Sequence, residues 1–295
     1  MTRTVATVGV VGLGAMGLPM AQALLAGKFV VQGYDIRAAA RDALAGLGGV
    51  AAGSAADAAR GADALLLMVV DAAQAEVVLF SEGAVDALPA HGSVVVMATC
   101  PPAAVAAVAA RVQAAGRGFV DAPVSGGVAG ARAANLTIMA AGPNHLVDSL
   151  RPVFAALGDR LFHVGETPGQ GAVVKTVNQL LCGVHIAVTA EALALAERLG
   201  VDTGLLLEVM GGSSAASWML RDRGPRMLRD SPDVTSAINI FVKDLGIVLQ
   251  AGRDAKAALP LAAIAHQLFV ATSRRGDGAA DDSQVIRSYR ALNGT

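Results

Sequence analysis

Residues 169–179 read GQGAVVKTVNQ and hold the only lysine between Lys28 and Lys243. Lys175 and Asn178 are three apart, which on an α-helix sets them about 60° apart on one face, with Gln179 about 40° from Lys175. A cation beside an amide suits a hydroxyl group and the ketone it becomes on oxidation. A lysine among Ala172, Val173, Val174 and Val177 is expected to have a lowered pKa, which favours proton exchange near neutral pH. Read alone, the same lysine equally suits a helix edge with its ammonium reaching out to water. A second constellation is Ser125-Gly126-Gly127, after a strand that ends near Pro123. Small residues there leave backbone N–H groups and one hydroxyl open, a nest that suits a carboxylate, although an ordinary Gly-Gly turn reads the same way.

A third constellation is Gly12-x-Gly14-x-x-Gly17 in GVVGLGAMG. It lies between a strand and the mouth of a helix. There the first glycine makes a tight turn, the second admits a pyrophosphate and the third lets helix and strand pack closely. The helix N-terminus adds free N–H groups and positive potential. Asp35 ends the next strand about 20 residues later, the place of an acid that binds the adenosine ribose diol. An aspartate there repels a 2′-phosphate and favours NAD over NADP, while Arg37 nearby offers that phosphate a partner.

These groups need a scaffold, and the apolar pattern supplies one. Strands are expected at 7–12, 30–35, 62–70, 93–99, 118–124 and 136–142, with alanine-rich helices between them. Short apolar strands without alternation, separated by helices, indicate a parallel sheet covered on both faces, a doubly wound α/β domain over 1–163. From 163 to 171 the chain reads as a Gly/Pro-rich linker. A long helix follows from about 171 to 199 and stops at Gly200. Helices are then expected at 203–210, 214–221, 236–254, 260–274 and 281–291, so 164–295 reads as an all-α domain entered by a helix long enough to span both domains. RRGDGAADDS (274–283) reads as a polar surface loop.

Hydrophobic residues make up 54% of the 295-residue chain and aromatics only 3%, so the core must be aliphatic and alanine-rich. A formal net charge of −1 and no basic stripe argue against nucleic acid. Cys100 and Cys182, far apart, make neither a disulfide framework nor a zinc site, and fit a reducing cytoplasm. The scattered His163, His185 and His266 suggest no metal set. The run Val5–Met20 followed by Ala21-Gln22-Ala23 imitates a secretory leader, but Gly12, Gly14, Gly17 and Pro19 interrupt it, and a buried strand and turn is the better reading. No segment holds roughly 18 apolar residues free of charge, glycine and proline, so no membrane partner is expected.

Four strings occur in order: GLGAMGLPMA (12–21), DAPVSGG (121–127), GQGAVVKTVNQ (169–179) and FVKDLGIV (241–248). Together they resemble the β-hydroxyacid dehydrogenases, the group that contains 3-hydroxyisobutyrate dehydrogenase and tartronate semialdehyde reductase, over essentially the whole chain. The resemblance implies hydride exchange between NAD and a small hydroxy acid. It makes Lys175 the catalytic residue and Ser125, Gly126, Gly127, Asn178 and Lys243 the substrate-binding set. Lys243 lies near the nicotinamide as well, and Asp244 supports the site. The cofactor set it implies is Gly12, Leu13, Gly14, Ala15, Met16, Gly17, Asp35, Arg37, Val70, Thr99 and Lys243. SWMLRDRGPRML (217–228) with SAINIFVKDLGIV (236–248) is similar to the branch that oxidises L-threonate, with Trp218 as a core anchor or pocket wall and Arg221 or Arg223 as donors to a polar acid. Reductases of a semialdehyde or of glyoxylate share the pattern. A silenced nucleotide-binding protein is the alternative of another class, against which Lys175 speaks. Cys100 and Asn135 depart from the usual motifs. An apolar helical domain implies a homodimer or homotetramer.

Overall fold

The computed structural model describes residues 5–294. Packing divides the chain into two units, one ending at Lys175 and the other beginning at Thr176.

The first unit is built on nine strands: β1 (Thr7–Val11), β2 (Val30–Tyr34), β3 (Val50–Ala51), β4 (Ala64–Leu67), β5 (Ser93–Val96), β6 (Gly118–Asp121), β7 (Val124–Ser125), β8 (Thr137–Ala141) and β9 (Arg160–Gly165). Their order is β3-β2-β1-β4-β5-β6-β8-β7, with β9 on β8. The first six are parallel, so the expected doubly wound sheet is present. β8 departs from the expectation by running antiparallel to β6 and β7. Around the sheet lie α1 (Gly17–Ala26), α2 (Ala38–Gly46), α3 (Ala55–Ala59), α4 (Ala72–Glu76), α5 (Ala84–Ala87), α6 (Pro102–Ala114), α7 (Gly127–Arg132) and α8 (Asn144–Leu157). Successive strand residues serve opposite faces: Val8, Val10, Leu66 and Val95 fill one core, and Val11, Leu65, Leu67 and Val94 fill the other. That two-sided burial is why the strands read as unbroken apolar runs. β9 was not foreseen, because Arg160–Gly165 alternates exposed and half-buried residues and carries a charge. Its residues 163–165 had been read as linker.

The helix α9 runs from Gln170 to Leu199 and contains the division between the units. It is the one helix among the described residues long and apolar enough to cross a bilayer by length and composition, and half of its most apolar stretch is buried. The second unit continues with α10 (Thr203–Gly211), α11 (Trp218–Met227), α12 (Ile238–Asp254), α13 (Pro260–Thr272) and α14 (Ile286–Leu292). Ile186, Ala190, Leu193, Phe241, Leu245 and Phe269 fill its core.

Two expectations fail here for one reason. α11 was placed at 214–221, ending before Gly224-Pro225, yet it starts on the Ser217 cap, whose Oγ accepts from Leu220 N–H at 3.0 Å, and passes through Pro225. The surface loop 274–283 ends in burial, with Asp281, Asp282, Ser283 and Gln284 all at 1% exposure or less. A buried ionic network joins the two. Arg223 donates to Asp282 through two nitrogens at 2.8 and 2.9 Å and also to Asp222. Arg226 donates to Asp222 and Asp281 at 2.8 and 2.9 Å and to Thr235. Burial pushes the Asp282 carboxyl above the ordinary range against the pull of Arg223. Such ties are non-local, and single-sequence patterns carry no sign of them.

Arg223 is therefore structural and cannot also serve as a free donor to substrate. Removing one partner of a buried pair leaves an uncompensated charge and costs about 3–5 kcal/mol. Arg223→Ala should lower the unfolding free energy of the intact protein by that amount in urea titration. A loss under about 1 kcal/mol would show that the network contributes little.

Candidate active site

The glycine turn is the firmest part of the site. Gly12 has φ +93°, and its N–H donates to Tyr34 O at 2.9 Å. A Cβ on Gly17 would stand 1.8 Å from Gly12 O, so only glycine lets α1 start this close to β1. Gly14 is different: its Cβ would meet nothing nearer than an Arg37 nitrogen at 3.8 Å. No packing of the chain needs a glycine there, but a pyrophosphate approaching the backbone does. The residues thus fit a dinucleotide, with the N–H groups of Gly14, Ala15, Met16 and Gly17 at the head of α1. Leu13 is buried beneath the turn.

Asp35 is 8% exposed. Its Oδ2 accepts from Leu13 N–H at 2.9 Å, and its Oδ1 from the Arg37 backbone N–H at 2.9 Å and Arg37 Nε at 3.0 Å. Burial pushes this carboxyl up, but the Arg37 side-chain and backbone bonds, the Leu13 N–H and the Arg37 charge together hold it below the usual range. Asp35 therefore ties the second strand to the glycine turn. Val70 is exposed beyond β4 and its N–H donates to Gln74 Oε1 at 3.0 Å. Thr99 is half-buried just past β5. Both stand at the carboxyl edge of the parallel strands, where open α/β sheets bind ligands.

Ser125 is the last residue of β7 and pairs with Thr137. Gly126 and Gly127 follow at φ +126° and +60°, and α7 begins at Gly127. Backbone N–H groups in these conformations form a concavity suited to an anion.

Lys175 lies in the second turn of α9. Here the structure reverses an expectation. The valines were read as the lysine's dry surroundings, yet Val173, Val174 and Val177 are 51%, 39% and 58% exposed, while Lys175, Thr176 and Gln179 are 7–8% exposed. This part of the helix carries its polar residues inward and its apolar residues outward. Asn178 is half-buried and its Oδ1 accepts from Cys182 Sγ at 3.7 Å. In the second unit Lys243 Nζ lies 2.6 Å from Asp244 Oδ1. Asp244, 2% exposed, also accepts from Gln179 Nε2 at 2.5 Å, so it links α12 to α9. Trp218 is 48% exposed, which removes the core-anchor reading. Its ring faces the Arg223 guanidinium at 5.8 Å. Arg221 is turned to Gly211 O at 3.3 Å.

Sequence reasoning gave Asp121 no role. It ends β6 at 1% exposure and accepts from Gly169 N–H at 2.9 Å and Ala172 N–H at 2.8 Å. The signal was present: an aspartate inside the apolar strand GFVDAPV must have partners to be buried.

Residues 7–165 match the NAD-binding domain of 6-phosphogluconate dehydrogenase. Residues 169–289 match the NAD-binding family of NADP-dependent 3-hydroxyisobutyrate dehydrogenase. The chain belongs to the β-hydroxyacid (3-hydroxyisobutyrate) dehydrogenase family. It is 42% identical to an L-threonate dehydrogenase of Cupriavidus necator, over 97% of this chain and 96% of that one. It is 37% identical to the enzyme of that name from Escherichia coli, over 97% and 95%. A crystal structure of 3-hydroxyisobutyrate dehydrogenase from Salmonella typhimurium superposes with a TM-score of 0.91 at 37% identity, covering 96% of this chain and 99% of the other. This family member is an NAD(P)-dependent oxidoreductase acting on CH–OH donors.

Gly14→Ala and Gly17→Ala separate ligand demand from packing demand. Gly14→Ala should melt within about 2 °C of the wild type, since a free-standing Cβ costs little, yet bind NADH at least about tenfold more weakly. Gly17→Ala should lower the melting temperature as well. Equal thermal loss in both, read by calorimetry, would refute the distinction.

Proposed function

We propose that this protein oxidises a small hydroxy or sugar acid with NAD as hydride acceptor, and that L-threonate is the substrate. The observation that carries the reading is the burial of Lys175 in a stretch of α9 where Val173, Val174 and Val177 face outward. A family of folds rarely inverts a helix and buries an amine without use for it, because burying a charge-bearing group is costly. The choice of acid rests on the two relatives named for L-threonate.

NAD, when bound, supplies the acceptor for the hydride leaving the carbinol carbon. Lys175 is the proton acceptor of this step. Its Nζ takes the hydroxyl proton as the carbon–oxygen bond gains double-bond character, and the resulting ammonium holds the ketone oxygen. The Ser125 hydroxyl and the N–H groups of Gly126 and Gly127 receive the carboxylate. Asn178 and Lys243 fix the orientation, Lys243 being set in turn by Asp244. The preference for NAD over NADP rests on Asp35, whose buried carboxylate would hold the ribose hydroxyls and repel a 2′-phosphate. Arg37, paired to that carboxylate, is already engaged. 3-Hydroxyisobutyrate is the second reading, supported by the structural relative of that name. The family resemblance also favours a cytoplasmic location.

The decisive measurement is dinucleotide reduction across L-threonate, D-threonate, erythronate, 3-hydroxyisobutyrate, glycerate and 4-hydroxybutyrate, each with NAD and with NADP. L-threonate with NAD should give the highest kcat/KM, and Lys175→Ala should cost at least about 10³-fold in kcat while NADH still binds. No turnover of any acid, or near-normal turnover by the variant, overturns the reading.

We also propose a homodimer or homotetramer. Val174, Leu181, Val188 and Leu195 recur at heptad spacing on α9 and are 39–58% exposed, with Val177 beside them. Such a stripe is the pattern of a helix covered by a second copy. Leu181→Glu with Val188→Glu should shift the sedimentation of the protein to that of a monomer. An unchanged oligomer, or a wild type that is already monomeric, rejects this face.

A further inference from the structure

Asp121 is buried where a charge is expensive. Its two oxygens are spent on one object, the first turn of α9. Oδ1 takes the N–H of Gly169, Oδ2 takes that of Ala172, and Gly171 N–H contributes as well. A helix leaves its first N–H groups without partners, and a side chain at the residue just before the helix usually answers them. Here that residue is Gly169, which has no side chain, and the cap arrives from a strand 48 residues earlier in the chain.

A local cap stabilises a helix wherever the helix happens to lie. A cap held by the sheet also fixes where it lies. The approach is close enough that Gly171 cannot carry a side chain: its Cβ would stand 2.5 Å from Met139 O and 2.8 Å from Asp121 Oδ2. Both GQG glycines therefore serve this contact, Gly169 through a φ of +100° and Gly171 through proximity. Lys175 follows Ala172 by three residues, about 4.5 Å along the axis, and its side chain leans back toward the capped turn. A slip of the turn by one residue would carry the lysine about 1.5 Å along the axis and 100° around it.

We propose that Asp121 is a positioning residue for Lys175: by capping α9 from the end of β6 it fixes the axial place and rotation of the turn that presents the amine. The proposal rests on the reading of Lys175 as the proton acceptor. It predicts that loosening the cap harms the chemical step more than it harms either binding or the fold, since misplacement of a reacting group by about 1 Å costs on the order of 10²-fold.

The test uses the full-length enzyme and two variants that disturb the same contact from opposite sides. Asp121→Asn keeps the shape but turns one acceptor into a donor that faces N–H groups. Gly171→Ala keeps the carboxylate and pushes the turn away from it. Each is compared with the wild type on the acid that turns over fastest, well below its melting temperature, with sites counted by NADH titration. In both, kcat should fall about 10- to 100-fold per NADH-binding site, the NADH Kd should stay within about twofold, and the deuterium isotope effect on the carbinol hydrogen should rise. Hydrogen exchange at the Gly169 and Ala172 amides should quicken while the α12 amides are unchanged. If either variant folds and keeps kcat within about twofold of the wild type, the proposal is overturned. An unchanged isotope effect with equal losses of turnover and NADH affinity overturns it too, because that pattern is general destabilisation. An active Lys175→Ala enzyme would instead refute the role of the lysine, whichever way the two variants behave.

Discussion

The carboxylate of Asp121 against the first turn of α9 is the contact on which the candidate site depends. It is where a β-strand, a helix start and a close-packed turn meet. Burial raises the carboxyl above its ordinary range and the backbone N–H bonds pull it back, so the group is held between two opposed demands. The same bonds satisfy helix N–H groups that would otherwise be orphaned in the interior, where each costs about 1–3 kcal/mol. Neither side could be relieved alone. An apolar residue at 121 would leave the helix uncapped, and a side chain at 171 would hold the two apart.

Seen from that contact, the inverted polarity of α9 becomes coherent. A helix that is capped by the sheet and carries Lys175, Thr176 and Gln179 inward has placed polar side chains on the face that ordinarily builds a core. Val173, Val174 and Val177 are then displaced to the far face. The unit that follows does not depend on them: its core draws on Ile186, Ala190 and Leu193 farther along the same helix, with α12 and α13. Asp244 continues the polar side by gripping Gln179 and Lys243 together. One helix thus serves as a rod with a polar, buried beginning and an ordinary amphipathic continuation. The change falls within a few turns of the division between the units.

Much of this was legible in the sequence, and the reasons are local. Five of the parallel strands, β1, β2, β4, β5 and β6, are legible as apolar runs, whereas the two-residue, exposed β3 is not. The glycine turn is legible because its steric demands act between near neighbours, and the long helix because nothing in it breaks before Gly200. What escaped is non-local. β9 exists because β8 offers it an edge, not because Arg160–Gly165 resembles a strand. The acids at 281 and 282 look like a solvated loop until Arg223 and Arg226 are brought to them from α11. The burial of Lys175 was foreseen, but it was attributed to its valine neighbours, and it comes instead from the opposite face of the helix. In each case residue types were read correctly and their partners were supplied by parts of the chain far away.

Glycines carry the same lesson. This chain has 34 of them, so glycine as a residue type signals little. The structure separates them by what a Cβ would meet. At Gly17 and Gly171 it would strike the chain itself, and those positions explain how the scaffold closes: one brings α1 onto β1, the other brings α9 onto β6 and β8. At Gly14 it would meet nothing nearer than an Arg37 nitrogen at 3.8 Å, and the backbone φ is not left-handed. A residue that the fold does not require, at the head of a helix and over a turn that the fold does require, is explained by a group outside the chain. The two internal closures fix where α1 and α9 start, and the bare backbone at Gly14 suits the close approach of a pyrophosphate.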